Sequence, residues 1–456
     1  MNKGAKVEKK KKKTNGYKLP DPLPLGVILE DIAKKKWKLG PSIGKGGFGE
    51  IYSAQEYPTT SKTYPYVIKI EPHANGPLFV EMHFYMRNAK REFIEEFMKK
   101  KKLKRLGMPT YLGSGRHEIG DQVYRFVVME KFGTDIWKLF VENNNKFPPE
   151  TVFKLGVQIL DVLEYIHSKG YVHADVKGAN VLLGLNSEAS TQVYLVDFGL
   201  CTRYSQTDKP DAKKAHNGTL QYVSRDGHLG IESRRGDLEI LGYNLIQWLG
   251  CNLPWDGKNL KSPTAVQESK EKYMKNLPDF FNVCFGNNKP PKAIVDYMEY
   301  VTSLKFDVEP NYQKLRDTFI AGIEAAGSSL DSPFNFKSQK TPIKRRIKES
   351  SPVKKEAIVK KNKINKPNPV NGAGKKSTKK TAEVEVSRDD STEGFTPAMI
   401  SIRNKMKSNT ENDKEKINTS GRTLRSRKDV YYGSSSKGVS SPGSDCETVS
   451  PRNNRV

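Results

Sequence analysis

The chain has 456 residues and a formal charge of +26, enough length for one large folded body with arms or for two modest domains. Four cysteines, Cys201, Cys251, Cys284 and Cys446, show no metal-ligand spacing, and a chain of this length needs no disulfide framework, so a small stapled secreted fold is excluded and a reducing compartment is expected. No run of 18 apolar residues occurs, and the amino-terminal MNKGAKVEKKKKKTNG lacks the apolar stretch of a signal peptide, which points to a soluble intracellular protein with no membrane partner.

Charge is unevenly placed. Residues 1–20 hold 8 basic and 1 acidic side chain and residues 331–456 hold 29 and 14, whereas 21–330 are near balance with 41 and 37. Three parts are therefore expected: a disordered basic arm at 1–20, a folded body at 21–330, and a disordered basic tail at 331–456. The arms suit polyanions, non-specific DNA contact among them. The lysines at 9–13 and the cluster Lys344, Arg345, Arg346 and Lys348 fit either a nuclear address or a solvated charged face; two such clusters beside so large an excess favour the nucleus. The tail also carries Ser/Thr-Pro steps at Ser332, Thr341, Ser351, Thr396, Ser441 and Ser450. Proline holds the preceding residue extended, as docking into a proline-directed kinase requires, and phosphate there would lower the positive charge; ordinary low-complexity linker explains the same pattern.

In chain order, residues 37–74 read as short strands, such as EIYSA and YPYVIKI, split by Gly, Pro and Thr, and predict a small antiparallel sheet. GPLFVEMHFYMRNA reads as a helix. In TVFKLGVQILDVLEYIHSKG the apolar residues Val152, Leu155, Ile159, Val162 and Ile166 recur at steps of three and four, and Gly170 stands where a helix would end. DLEILGYNLIQWLG, residues 237–250, is a second helical stretch. Strands first and helices after predict an α+β fold of two lobes with the site in the cleft between them.

The chemistry-bearing segments lie in the same order. Gly44, Lys45, Gly46, Gly47, Phe48 and Gly49 form a G-x-G-x-x-G, with Ile43 before it and Ile51 after it, where a Cβ would hold the backbone amides away from a phosphate chain. A Rossmann loop has the same spacing but enters a helix directly; here a β-branched run follows, then a strand ending in Lys69. That lysine fits V-A-I-K, whose ammonium meets the α and β phosphates of ATP, and Glu81 on the next helix is placed to pair with it. YVHADVKGANVLL matches H-x-D-x-K-x-x-N: Asp175 to take the proton of a substrate hydroxyl, Lys177 to neutralise the transferring group, Asn180 to offer an oxygen to Mg²⁺. His173 reads as a packed scaffold residue. VYLVDFGL then delivers Asp197 as the second metal-holding group, with Phe198 packing beneath.

These blocks, together with NGPLFVEMHFY, VVMEKFGTDI, HNGTLQYVSRDGHLG and RRGDLEILGYNLIQWL, make residues 37–325 resemble the eukaryotic protein kinase domain, and within it the vaccinia-related branch of the casein-kinase-1-like group. The resemblance implies a two-lobed kinase fold acting as a monomer, with ATP and Mg²⁺, that transfers phosphate to serine or threonine. It places Met129 beside the adenine and makes Glu130 to Phe132 the linker whose backbone binds the base, with the hinge near 130–133. It also implies nuclear chromatin substrates, including histones and barrier-to-autointegration factor. Two departures are informative. Ala174 stands where most kinases have Arg, so no guanidinium is there to clamp a phosphorylated activation loop, and activity without that phosphorylation is expected. No A-P-E follows Asp197; YVSRDGHLG takes its place, so the loop must be anchored differently, while Gly218 and Thr219 still match the turn that faces a peptide substrate.

Overall fold

The computed structural model describes residues 22–45, 49–186, 191–256 and 262–337. The expected arm at 1–20, the tail beyond 337, and Gly46, Gly47 and Phe48 lie outside the described residues.

The amino-terminal lobe is a six-stranded antiparallel sheet in the order β1-β2-β3-β4-β6-β5, with β1 Ile28–Glu30, β2 Lys36–Lys45, β3 Glu50–Tyr57, β4 Tyr66–Pro72, β5 Tyr111–Ile119 and β6 Gln122–Glu130. Leu29, Trp37, Tyr52, Ile68, Ile70, Phe126 and Val128 fill a core on one face of the sheet. The opposite face is the one that matters for the site. Register pairs Ile51 with Lys69 and Lys69 with Val127, so these three stand in line on a face packed by α1, Pro77–Asn88, and not by the small core. Proline at the first turn of α1 matches its lack of an amide to place there, and the buried Glu71 carboxylate accepts the Leu78 amide at 3.1 Å. Burial pushes the Glu71 pKa up to about 7, against the pull of that amide and of Arg125.

α2, Arg91–Lys101, follows, and Lys101 reaches Glu164 on the long helix of the second lobe at 2.5 Å. That helix, α4, Pro149–Ser168, comes after the short α3, Ile136–Glu142, and is buried along almost its whole length. All five periodic positions of the sequence are at most 1% exposed, and Gly170 adopts φ +84° just past the end. A helix buried on every side is a core helix, and its polar positions Lys154, Asp161 and Glu164 are each held by a partner. Around it lie α6, Arg234–Trp248, α9, Lys292–Ser303, and α10, Tyr312–Ala325; the short α5, Arg225–His228, precedes α6, and α7, Pro263–Lys275, and α8, Leu277–Phe285, lie between α6 and α9. α6 begins three residues before the apolar run because Ser233 caps it, accepting the Gly236 amide at 2.9 Å.

The folded body does not stop at 330. Phe334 and Phe336 pack on the core, Phe336 against Phe147 with centroids 5.2 Å apart, and Thr151 Oγ1 on α4 donates to Asn335 O at 2.6 Å. Residues 331–337, assigned to the tail by their polar, serine- and proline-bearing composition, are held by two aromatic anchors and by polar contacts from Thr151, Lys154 and Lys104.

Candidate active site

Two short antiparallel pairs bring the remaining segments to the cleft: β7, Tyr171–Val172, with β10, Thr202–Arg203, and β8, Val181–Leu183, with β9, Val193–Leu195. Register matches Val181 to Leu195, and the Val196 amide donates to Asn180 O at 2.8 Å. Asn180 just before β8 and Asp197 just after β9 therefore emerge at the same end of one hairpin.

The first cluster spans the lobes. Lys69 Nζ lies 2.7 Å from Glu81 Oε2 and 3.1 Å from Asp197 Oδ1. Burial works against the ammonium, yet Asp197 and Glu81 outweigh it and hold the Lys69 pKa above its usual value. Burial likewise opposes the Asp197 carboxylate, but Lys69 and then Lys177 keep its pKa below the ordinary range, so it is ionised. Asp197 sits in left-handed backbone at φ +63°, with Phe198 buried next to it. The Phe198 ring stacks on Phe84 of α1 at 4.4 Å and meets Tyr85 and His173 edge-on, which ties the position of Asp197 to the helix that carries Glu81.

The second cluster surrounds Asp175. Its Oδ1 accepts the Thr219 amide at 2.9 Å and hydroxyl at 2.7 Å, and its Oδ2 accepts Lys177 Nζ at 2.8 Å. Lys177 also donates to Thr219 Oγ1 at 3.0 Å, and Asn180 Nδ2 donates to Asp175 O at 2.9 Å. Gly218, at φ +106°, lets the 218–219 turn come this close: a Cβ there would stand 2.8 Å from Ala174 O. His173 is fully buried, donating through Nε2 to Val196 O at 3.1 Å and accepting the Asp175 amide at Nδ1; burial lowers its pKa and keeps it neutral.

Local spacing did not reveal Asp237 on α6. Its carboxylate accepts the His173 amide at 2.7 Å, the Ala174 amide at 2.8 Å and His167 Nε2 at 3.0 Å. Ala174 is held at φ +64°, so this one carboxylate fixes the strained backbone from which Asp175 projects. The missing A-P-E motif also has a replacement. Arg225 pairs with Glu239 at 2.9 Å, Asp226 with Arg235 at 2.7 Å, and Lys270 of α7 donates to Leu220 O at 2.8 Å and Val223 O at 2.7 Å. These contacts, with the β7-β10 pairing, build the segment after Asp197 from the chain's own side chains.

Not every expected position has its expected reason. A Cβ at Gly49 would lie 2.1 Å from Ile70 O, so the sheet itself requires that glycine; around Gly44 there is open space. Ile43 is 51% exposed and Lys45 exposed at the end of β2, paired with Glu50. Met129 is buried in β6. The side chains of Glu130 and Phe132 turn elsewhere: with Arg91, Thr110 and Tyr194 they line a cavity of about 630 Å³, Glu130 lying 3.6 Å from Arg91 and Phe132 stacked on Tyr194.

A carboxylate and an amide oxygen, hard ligands in a small number, fit Mg²⁺, which keeps several waters, and do not fit a closed cage. Among the described residues no three His, Cys, Asp or Glu side chains gather as one.

This fold and these two clusters define a protein kinase domain, and the protein kinase domain family model matches residues 37–275. The chain is 49% identical over 333 residues to nucleosomal histone kinase 1 of Drosophila melanogaster, covering 73% of this chain and 55% of that protein. It is 42% identical over 311 residues to serine/threonine-protein kinase VRK2 of Homo sapiens, covering 67% and 60%, and 37% identical over 305 residues to B1 kinase of vaccinia virus (strain Ankara), covering 65% and 98%. The match thus spans a little over half the length of the fly and human relatives. A solved structure of vaccinia related kinase 3 superposes with a TM-score of 0.62 at 28% identity, covering 70% of this chain and 98% of that one. The chain belongs to the vaccinia-related kinases.

Proposed function

We propose that the chain is a nuclear serine/threonine protein kinase that transfers the γ-phosphoryl group of ATP to hydroxyls of chromatin proteins, of the kind that histones and barrier-to-autointegration factor represent. What supports this above all is the convergence of Lys69, Glu81 and Asp197 in one ion-paired set facing Asp175, Lys177 and Asn180 across the hairpin.

In this reading Lys69, positioned by Glu81, meets the α and β phosphates, and residues 43–51 with Met129 and the backbone of 130–132 hold the rest of the nucleotide. Asn180 and Asp197 would hold magnesium, which when bound would supply positive charge against the phosphates. Asp175 orients the serine or threonine hydroxyl in line with the γ-phosphorus and accepts its proton. The new O–P bond forms as the bond to the bridging oxygen breaks and ADP leaves with the electron pair. Lys177 balances charge on the transferring group from the side of Thr219. The folded body, begun near residue 21, acts as a monomer; the basic arms add nucleic-acid contact and a nuclear address. With Ala174 in place of Arg and the following segment anchored by Glu239, Arg235 and Lys270, full activity needs no phosphate on that segment.

The similarity to nucleosomal histone kinase 1 of Drosophila melanogaster supports histones as the substrate class. The test is labelled ATP with nucleosomes, free histones and a generic acidic protein, comparing wild type with Asp175→Ala and Lys69→Arg. Transfer to histone hydroxyls that falls by about 10³-fold in Asp175→Ala is expected; equal transfer by the variants overturns the roles, and preference for the acidic protein overturns the substrate class.

A further inference from the structure

Lys154 lies on α4 and is only 2% exposed. Its ammonium donates to Ser328 Oγ at 3.0 Å, Ser332 Oγ at 2.6 Å, Ser332 O at 3.2 Å and Pro333 O at 3.3 Å. Among the described residues no carboxylate lies within ion-pairing distance of it, and burial lowers its pKa with only Glu150, a turn away, acting in the other direction. A covered ammonium met by hydroxyls and carbonyls keeps a charge that these partners do not neutralise, and it favours an anion placed among them.

The residue it touches most closely has the sequence of a modification site. Ser332 is followed by Pro333, and the segment 328–337 that carries it has neither helix nor strand beyond isolated turns. Its neighbour Asp331 is already paired, with Lys104 at 2.7 Å and Arg105 at 3.9 Å, so two further cations stand one residue away. The segment is attached through Lys104, Arg105, Thr151 and Lys154 and through the partly buried Leu330, Phe334 and Phe336, contacts few enough for it to open locally from α4.

We propose that Ser332 is phosphorylated by a proline-directed serine/threonine kinase acting on this chain, and that Lys154 then receives the phosphate and clamps residues 328–337 to α4. In the transfer Ser332 Oγ attacks the γ-phosphorus of ATP bound to that kinase. The Oγ–P bond forms, the bond to the β,γ-bridging oxygen breaks, ADP leaves with the electron pair, and the hydroxyl proton passes to the attacking kinase's base. On return to α4 the hydroxyl's donor bond to Ser329 O, 2.8 Å, is lost, and phosphate oxygens replace the hydroxyl opposite Lys154. A dianion facing a covered ammonium, with Lys104 and Arg105 beside it, outweighs that single bond.

The experiment uses the full chain, treated with a cyclin-dependent kinase and ATP or with ATP alone, followed by phosphosite mapping and amide hydrogen exchange. Phosphate at Ser332 is expected, with the amides of 328–337 exchanging about tenfold more slowly. The slowing should vanish in treated Ser332→Ala, which keeps the other Ser/Thr-Pro steps, and in Lys154→Met; should Lys154→Met misfold, Lys154→Arg keeps the cation and should keep the slowing. Phosphate at Thr341 or Ser351 with none at Ser332 overturns the proposal. So does phosphate at Ser332 that leaves exchange unchanged or speeds it.

Discussion

Two groups of charged side chains sit close together in this molecule and are built on opposite plans. In the cleft, Lys69 is 17% and Asp197 38% exposed, so charges paired with one another still present a side to an incoming ligand. Below the 218–219 turn the carboxylates are the enclosed partners, Glu239 at 5% exposed against Arg225 and Asp226 at 9% against Arg235, and Lys270 is fully buried beneath carbonyls, the neutral His228, and the rings of Tyr243 and Trp255. Burial and the Lys270 charge press the His228 pKa down to about 2, and His228 meets His216 at 2.7 Å. The first group can exchange partners, as chemistry demands; the second can only be kept or broken, as an anchor demands.

Breaking the anchor should therefore act on stability more than on nucleotide binding. Glu239→Ala strands the Arg225 guanidinium and the Tyr243 hydroxyl, which donates to Glu239 at 2.7 Å. A loss of about 3 kcal/mol is expected, a fall in Tm on the order of 10 °C, with ATP affinity little changed. Calorimetry beside a nucleotide titration checks it; a Tm within 2 °C of wild type would show that the pair anchors nothing.

The second effect is in pH. Burial lowers the Lys270 pKa to about 7, against the pull of Glu239 and Asp256. Above pH 7 the folded lysine has released a proton that the unfolded chain still binds, so stability rises with pH through this window, by about 1.5 kcal/mol between pH 7 and 8.5. Denaturant unfolding of wild type and Lys270→Met should give a rise in the first and none in the second; parallel curves would remove Lys270 from the account. The smallest change sharpens the border between the two groups. Ala174→Gly relieves left-handed backbone between them while keeping the Asp237 contact, and should leave stability within about 0.5 kcal/mol of wild type or slightly above it. A clear loss would mean that the alanine methyl has a packing role.

How much of this could be read from the chain depends on whether a constraint is local. Helix α4 was legible because its apolar residues must repeat along one helix, and Lys69, Asp175, Asn180 and Asp197 because each lies in a short segment whose turn or strand dictates its neighbours. Asp237 was not, since its carboxylate serves amides 63 and 64 residues earlier and leaves no spacing to detect. The loop spacing marked Gly49 as a glycine but could not show the further constraint on it, because the Ile70 carbonyl that excludes a Cβ comes from the neighbouring strand. The 331–337 segment has the composition of a tail, and only the positions of Phe147, Thr151 and Lys154 explain why it packs.

The central claim is that the cleft's paired charges separate into a nucleotide-holding set and a proton-accepting one. It is tested most directly by Mg²⁺-dependent ATP binding, followed as a thermal shift, beside labelled transfer to histone, in Asp197→Asn and Asp175→Asn. Asp197→Asn should lose the Mg²⁺-dependent shift together with transfer, whereas Asp175→Asn should bind within about threefold of wild type and transfer about 10³-fold more slowly. Binding lost in both variants alike, or transfer surviving in Asp175→Asn, would contradict the account.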